Sequence, residues 1–188
     1  MNAVLSECVP DIVFHSAALK HLLYVEEYPE EGVLANIFGT KNLAKMAQLN
    51  GVEKFVFLSS DKAVNPTSVY GATKNICEMV VRELSRTGGT EFVRVRFGNI
   101  LNSRGSVIPV FNYQIDNGGP VVVRDPGAKR YFMSLSEAVG LVLDAAELGK
   151  AGDLLVLDMK QQRSILELAE QLDIPWYECN IEPFDLYE

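Results

Sequence analysis

The stretch that decides the fold runs from Phe55 to Lys74, FVFLSSDKAVNPTSVYGATK. Its first residues, Phe55 to Ser59, read as a buried strand. Two hydroxyls, a carboxylate and an amine follow at Ser59, Ser60, Asp61 and Lys62. Then come a proline-containing loop, Tyr70 and Lys74. With a helix starting near Ser68, Tyr70 and Lys74 stand at i and i+4, one above the other on one face. An ammonium beside a phenol favours the phenolate and lowers a pKa that starts at about 10, so Tyr70 is expected to work as a base near neutral pH. Tyr-x-x-x-Lys alone recurs by chance in structural helices. Behind an apolar strand and a Ser-Ser-Asp-Lys step it reads as chemistry.

Working outward, the strand before this stretch is Asp11-Ile-Val-Phe-His15, a short apolar run that reads as a buried parallel strand. The Ser-Ala-Ala turn that follows, with Ala17 and Ala18, leaves room either for a ligand or for tight helix packing. Lys20 and His21 lie on the loop beyond it. From Pro29 to Asn50 the apolar residues Val33, Leu34, Ile37, Phe38, Leu43, Ala44 and Ala47 form a helical stripe, closed by Asn50-Gly51. Asn36 falls within that stripe. A buried amide must find partners, so it is either a helix-strand tether or a support for active-site backbone.

On the other side of the motif, the helix from Ser68 to Arg86 carries a stripe (Ile76, Cys77, Val80, Val81, Leu84) wider than a sheet face needs, which calls for a second helix, one supplied by another subunit being an option. Glu91 to Phe97 is a third strand, in which Arg94 and Arg96 alternate with apolar residues and so need water or a partner. A helix follows from the candidate cap Ser106 to Asn117, then a strand from Pro120 to Val123. Lys129 and Arg130 sit on a loop that leads to a helix capped by Ser136. The last strand is Asp153 to Leu157 and the last helix Ile165 to Leu172. After Pro175 the acidic, aromatic tail has no periodicity and reads as weakly structured.

Strands alternating with helices argue an α/β fold, a Rossmann-like parallel sheet covered by helices. At 188 residues the chain is large enough for a real core. The expected organisation is a partial dinucleotide-binding domain over residues 1–160, with a short helix and irregular tail over 161–188. A net charge of -8 disfavours a nucleic-acid partner. Three scattered cysteines (Cys8, Cys77, Cys179) form no metal spacing and fit a reducing, cytoplasmic setting. His15 and His21 lack further ligands nearby, so no metal site is read. No apolar run approaches the roughly 20 residues that cross a bilayer.

The stretches HSAALKH (15–21), NIFGTKNL (36–43), SSDKAVNPTSVYGATK (59–74), RFGNILNSRGSVIPVF (96–111) and KRYFMSLSEAV (129–139) together resemble the CapD-type polysaccharide-biosynthesis family. These are UDP-N-acetylglucosamine 4,6-dehydratases among the extended short-chain dehydrogenase/reductases. The resemblance implies that Tyr70 takes the sugar 4-hydroxyl proton, Lys74 holds the nicotinamide ribose, and Ser60 hydrogen-bonds near the 4-oxygen. It implies that Lys62 removes the C5 proton and Asp61 protonates the departing 6-hydroxyl. On the same footing Ala17, Ala18, Asn36 and Ser59 are cofactor-side positions, Lys20, Asn99 and Arg130 contact the nucleotide sugar, and the cofactor is NAD or NADP.

The family's opening strand-GxGxxG-helix is absent from this sequence. The expectation is therefore a chain truncated at its N-terminal side. It would be active as the catalytic part of a dehydratase, or else inactive or dependent on a partner, either a missing N-terminal half or another copy. A nucleotide-sugar 4-epimerase shares Tyr70 and Lys74 but gives Asp61 and Lys62 no acid/base role.

Overall fold

Runs such as IVF, FVFL and FVRV are too short and too β-branched or aromatic for helices, and each becomes a strand. The computed structural model describes residues 2–103, 105–123, 125–159, 161–171 and 176–178. In order the elements are α1 (Asn2–Cys8), β1 (Ile12–His15), α2 (Leu22–Glu27), α3 (Pro29–Gly32), a π-helical segment (Val33–Phe38) and α4 (Gly39–Leu49). Next come β2 (Lys54–Leu58), a 3-10 turn (Asp61–Ala63), α5 (Val69–Ser85), β3 (Glu91–Arg96), β4 (Asn99–Ile100) and α6 (Val107–Asp116). The chain continues through β5 (Val121–Val123), β6 (Lys129–Met133), α7 (Leu135–Leu148), β7 (Leu154–Val156), β8 (Gln162–Ser164), α8 (Ile165–Glu170) and β9 (Trp176–Glu178). They form two compact units, Met1–Phe97 with Gly140–Leu157, and Gly98–Val139 with Asp158–Glu188.

The first unit is built on a four-stranded parallel sheet in the order β1-β2-β3-β7. Its register pairs His15 with Phe57 and Leu58 with Val95, so the C-terminal ends of β1, β2 and β3 emerge side by side. In an open parallel sheet that edge is where ligands bind, and the loop after His15 and the Ser59–Lys62 step both leave from it. Phe55, Phe57 and Phe92 are buried with Ala44 and Ala47 of α4 and Cys77 and Val81 of α5. Val56, Val93 and Val95 fill the opposite face and are equally buried, which explains strands that are apolar throughout. The second helix that the wide stripe of α5 calls for is thus α4 of the same chain. Ile76 and Met79 on α5 nevertheless stay 42% and 51% exposed.

The helix expected over 29–50 is helical throughout but not uniformly α: Val33–Phe38 winds as a π-helix. Such a segment loosens the backbone ladder and persists where a side chain inside it is strongly engaged. That side chain is Asn36, which is buried. Its Oδ1 accepts from the Leu19 N–H at 2.7 Å, and its Nδ2 donates to the Leu19 carbonyl at 3.0 Å and to Thr73 Oγ1 at 3.0 Å.

In the second unit β6 pairs in parallel with β4 and antiparallel with β8. This antiparallel strand departs from an all-parallel expectation. Phe111, Val121, Val123 and Ala169 make its core. Lys129 and Arg130 belong to β6 rather than to a loop. The cap of α7 is Ser134, not Ser136. Ser134 Oγ accepts from the Glu137 N–H at 3.2 Å while the Glu137 carboxylate accepts from the Ser134 N–H at 2.9 Å, a reciprocal capping box. Ser106 holds the N-cap position of α6 without a side-chain bond to the helix. Within the expected irregular tail, Trp176–Glu178 pairs in parallel with Val121–Val123. Residues 172–175 and 179–188 lie outside the described residues, so the rest of that expectation does too.

His15 shows how polar groups enter the core of the first unit. It is 5% exposed, its Nε2 is 2.8 Å from Thr40 Oγ1, and its ring lies 5.7 and 5.8 Å from those of Phe55 and Phe57. Burial, with the Lys74 charge adding to it, lowers its pKa from 6.5 to about 4. The folded state therefore binds fewer protons than the unfolded chain between these values, and stability rises with pH there. Stability is expected to be complete above about pH 6.5 and to fall by on the order of 2–3 kcal/mol as pH drops toward 4. Denaturant midpoints measured across pH 4–7 check this. His15→Gln should flatten that part of the curve, and an unchanged slope in the variant places the effect elsewhere.

Candidate active site

The site is built where β2 ends. Ser59 and Ser60 are buried, and Ser60 in extended conformation caps the 3-10 turn by accepting from the Lys62 N–H at 3.3 Å. The Asp61 N–H donates to the Phe97 carbonyl at 3.0 Å, fixing the turn to the end of β3. On the turn, Ser60 Oγ donates to Asp61 Oδ1 at 3.0 Å, and Lys62 Nζ donates to the same oxygen at 3.0 Å. The side chains of Asp61 and Lys62 remain 20% and 26% exposed, within reach of a ligand.

α5 brings the other half. Ser68 caps it, its Oγ accepting from the Gly71 N–H at 3.1 Å. Gly71 is the contact between helix and turn, because a Cβ there would overlap the Lys62 carbonyl oxygen. No larger residue lets the helix come so near. Asn75 Nδ2 adds a bond to the Ala63 carbonyl at 2.8 Å. The result brings Tyr70 beside Ser60, whose hydroxyl acts to lower the phenol's pKa. Ser60, Asp61 and Lys62 form one connected polar chain, with Tyr70 next to it.

Lys74 is 3% exposed, donates from Nζ to the Leu58 carbonyl at 2.6 Å and lies 4.2 Å from the centre of the Phe57 ring. Burial lowers its pKa from 10.5 to about 8, while Cys77 and Glu78 act in the opposite direction. The expectation for Tyr70 needs correction. Its pKa is raised rather than lowered: burial is the largest cause, Asp61 adds to it, and only the Ser60 hydrogen bond opposes. Spacing alone put the ammonium beside the phenol. The fold instead points Lys74 at the end of β2 and leaves Tyr70 facing Ser60 and the acidic turn.

The remaining residues sort by unit. Ala17 is exposed and Ala18 half-buried, on the loop that follows β1 at the same sheet edge. Asn36 acts on both sides of the site, tying Leu19 of that loop to Thr73, whose own hydroxyl donates to the Tyr70 carbonyl at 2.8 Å. It ties that loop to α5, so the tether joins helix to loop and not helix to strand. Ser59 turns its hydroxyl inward, donating to Glu78 Oε1 at 2.5 Å. Lys20 is near enough to Lys62 for that charge, after burial, to lower its pKa. Asn99 on β4 and Arg130 on β6 belong to the second unit.

Sequence reasoning missed Glu78. It is 4% exposed and its carboxylate takes Arg96 Nε at 2.8 Å and Nη2 at 2.6 Å. Two signals were present: a carboxylate on the apolar stripe of α5, four residues beyond Lys74, and an arginine facing inward from a buried strand.

A family model described as polysaccharide biosynthesis protein matches residues 1–182. The chain belongs to the polysaccharide biosynthesis protein family. Two relatives in this family, the capsular polysaccharide biosynthesis protein CapD of Staphylococcus aureus and the probable polysaccharide biosynthesis protein EpsC of Bacillus subtilis, are 51% and 49% identical to it over 90% and 92% of the chain. The chain spans 28% and 29% of their lengths. A UDP-glucose 4-epimerase of Rickettsia bellii is 40% identical over 84% of the chain, which covers 47% of that protein. Among solved structures, Pen from Bacillus thuringiensis superposes with a TM-score of 0.90 at 36% identity, over 97% of this chain and 60% of Pen. The dTDP-glucose 4,6-dehydratase DesIV from Streptomyces venezuelae, solved with NAD, shares the fold with a TM-score of 0.83 at 21% identity, over 92% of this chain and 60% of its own. This polysaccharide biosynthesis family member thus has a Rossmann-like α/β fold, which it shares with Pen and with DesIV. Among its described residues no helix is long and apolar enough to cross a membrane.

Proposed function

We propose that this chain carries the catalytic groups of a nucleotide-sugar 4,6-dehydratase acting on a UDP-linked N-acetylhexosamine in polysaccharide synthesis. The observation that carries this reading is the acid/base pair Asp61–Lys62, bonded to Ser60 and set beside Tyr70. Oxidation at C4 alone needs one base. A carboxyl and an amine held 3.0 Å apart on a half-buried turn add a second proton-handling pair, for two neighbouring carbons.

In this reading Tyr70 takes the proton of the 4-hydroxyl once the positive charge of a bound nicotinamide offsets the burial and the Asp61 charge that raise its pKa, with Ser60 holding that oxygen. A nicotinamide, when bound, supplies the transient oxidation by accepting and returning a hydride. The residues present suit it: Lys74 has two further N–H donors beyond the one spent on Leu58, and the small Ala17 and Ala18 leave space at the same edge. With C4 at the ketone level, the C5 proton is acidic. Lys62 takes it and Asp61 gives a proton to the 6-oxygen, which leaves as water. The pair then holds one proton on the amine and none on the carboxylate. That proton goes back to C5 as the hydride is returned to the sugar, and the proton that Tyr70 took from the 4-hydroxyl passes by way of Ser60 to Asp61, so that every group is restored.

A 4-epimerase is the second reading, favoured by the 40% identity to the Rickettsia protein so named. Product analysis decides between them. With NAD or NADP and UDP-N-acetylglucosamine, a dehydratase gives a product lighter by one water, whereas an isomer of unchanged mass overturns the proposal.

A further inference from the structure

Glu78 has no place in the chemistry above, yet it is among the most heavily engaged carboxylates of the first unit. It lies inside the fold on α5, accepts the Ser59 hydroxyl from the end of β2, and takes both the Nε and Nη2 of Arg96 from the end of β3. Three elements therefore meet on one side chain, at the sheet edge from which the candidate site departs. A hydrophobic residue fills such a position more cheaply, since taking an ion pair out of water costs several kcal/mol per charge. Something must require the negative charge.

What requires it stands one helical turn away. Lys74 is buried, where it donates to the Leu58 carbonyl and lies over the Phe57 ring, both uncharged. The titratable and charged groups that act around it come from β1, α5, β3 and the 3-10 turn. They are His15 from β1, Tyr70, Cys77 and Glu78 from α5 itself, and from β3 Arg94 and Arg96, which act on Glu78. Asp61 acts on Tyr70. Burial strips His15 of its charge and holds Cys77 as a thiol, so neither compensates an ammonium.

We propose that Glu78 is a positioning residue of the site: held between Ser59 and Arg96, it locks the end of β2 to α5 and supplies the counter-charge that keeps Lys74 an ammonium inside the fold. Arg96 then has two effects. It orients the carboxylate through a two-point contact and shares its charge, so that Lys74 is held as a cation without being drawn into a direct ion pair. The consequence for turnover rests on the dehydratase reading, because a neutral Lys74 loses its grip on a ribose hydroxyl. The charge balance itself does not.

The test uses the chain alone, without nucleotide sugar or cofactor, so its outcome is separate from that of the activity assay. The protein is labelled with 13C at lysine Cε, the Lys74 resonance is assigned by its loss in Lys74→Arg, and its midpoint is followed by NMR titration. Glu78→Gln keeps the shape and removes the charge. Its Lys74 midpoint is expected to fall by about one pH unit. Arg96→Gln removes the opposing charge and leaves Glu78 in place, so the midpoint is expected to rise. A merely structural link predicts shifts of the same sign in both variants, since both loosen the same contact. An unchanged midpoint in Glu78→Gln overturns the proposal. If that variant does not fold, Arg96→Gln decides alone: a rise supports the counter-charge role, and an unchanged or lowered midpoint overturns it.

Discussion

Lys62→Ala is expected to abolish exchange of the sugar C5 hydrogen with deuterated water, a loss of about 10²–10⁴-fold in any polypeptide where this chain turns over its nucleotide sugar. The reason is geometric. In the proposed reaction the C5 proton must be removed by a group beside the one that protonates the 6-oxygen, and Lys62 is bonded at 3.0 Å to Asp61. Alanine removes the amine and leaves the backbone of the 3-10 turn, because the Ser60 cap accepts from the Lys62 N–H and not from its side chain. Asp61→Asn makes the complementary case. It keeps a base for C5, so exchange continues, but it has no proton to give and water loss stops. Exchange that survives unaltered in Lys62→Ala removes this residue from its role, whereas no C5 exchange even with Lys62 in place leaves the epimerase reading, which has no use for the pair.

Arg96→Leu is expected to destabilise the chain by about 3–5 kcal/mol, the range seen when one partner of a buried ion pair is removed. Glu78 would be left with its side chain only 5% exposed and with the Ser59 hydroxyl as its hydrogen-bond donor. Replacing both residues with leucine should recover much of that loss, because the desolvation cost disappears with the charges. A denaturant series on the two single variants and the double measures the coupling directly. A cost below about 1 kcal/mol for Arg96→Leu means that the pair behaves as a solvated surface bridge. In that event the inward-facing charge on β3 is not what ties β3 to α5.

Much of the fold was legible because its signals are local. Four apolar runs separated by helical stripes can hardly form anything but a helix-covered parallel sheet, and Ser68 marked the start of α5 to the residue. Ser134 was harder to see. Two serines stand at adjacent even positions before Glu137, and only the three-residue spacing to that glutamate separates the real cap from Ser136. Trp176–Glu178 carries no period of its own and becomes a strand only because Val121–Val123 offers it a parallel edge.

By itself the sequence determined which groups meet. Ser60, Asp61 and Lys62 are consecutive and must leave the same strand end, and Tyr70 and Lys74 must share a helix face. Tertiary structure alone decided which way the charges act. The sequence placed an ammonium next to a phenol, whereas the fold turned Lys74 toward Leu58 and Phe57 and gave Tyr70 burial and Asp61 as neighbours, so its pKa moves up. The partner of Arg96 was likewise invisible, because Glu78 lies 18 residues away in sequence on another element. Covalent spacing fixes composition at a site, but electrostatics depends on burial and on through-space neighbours, and those exist only once the chain has folded.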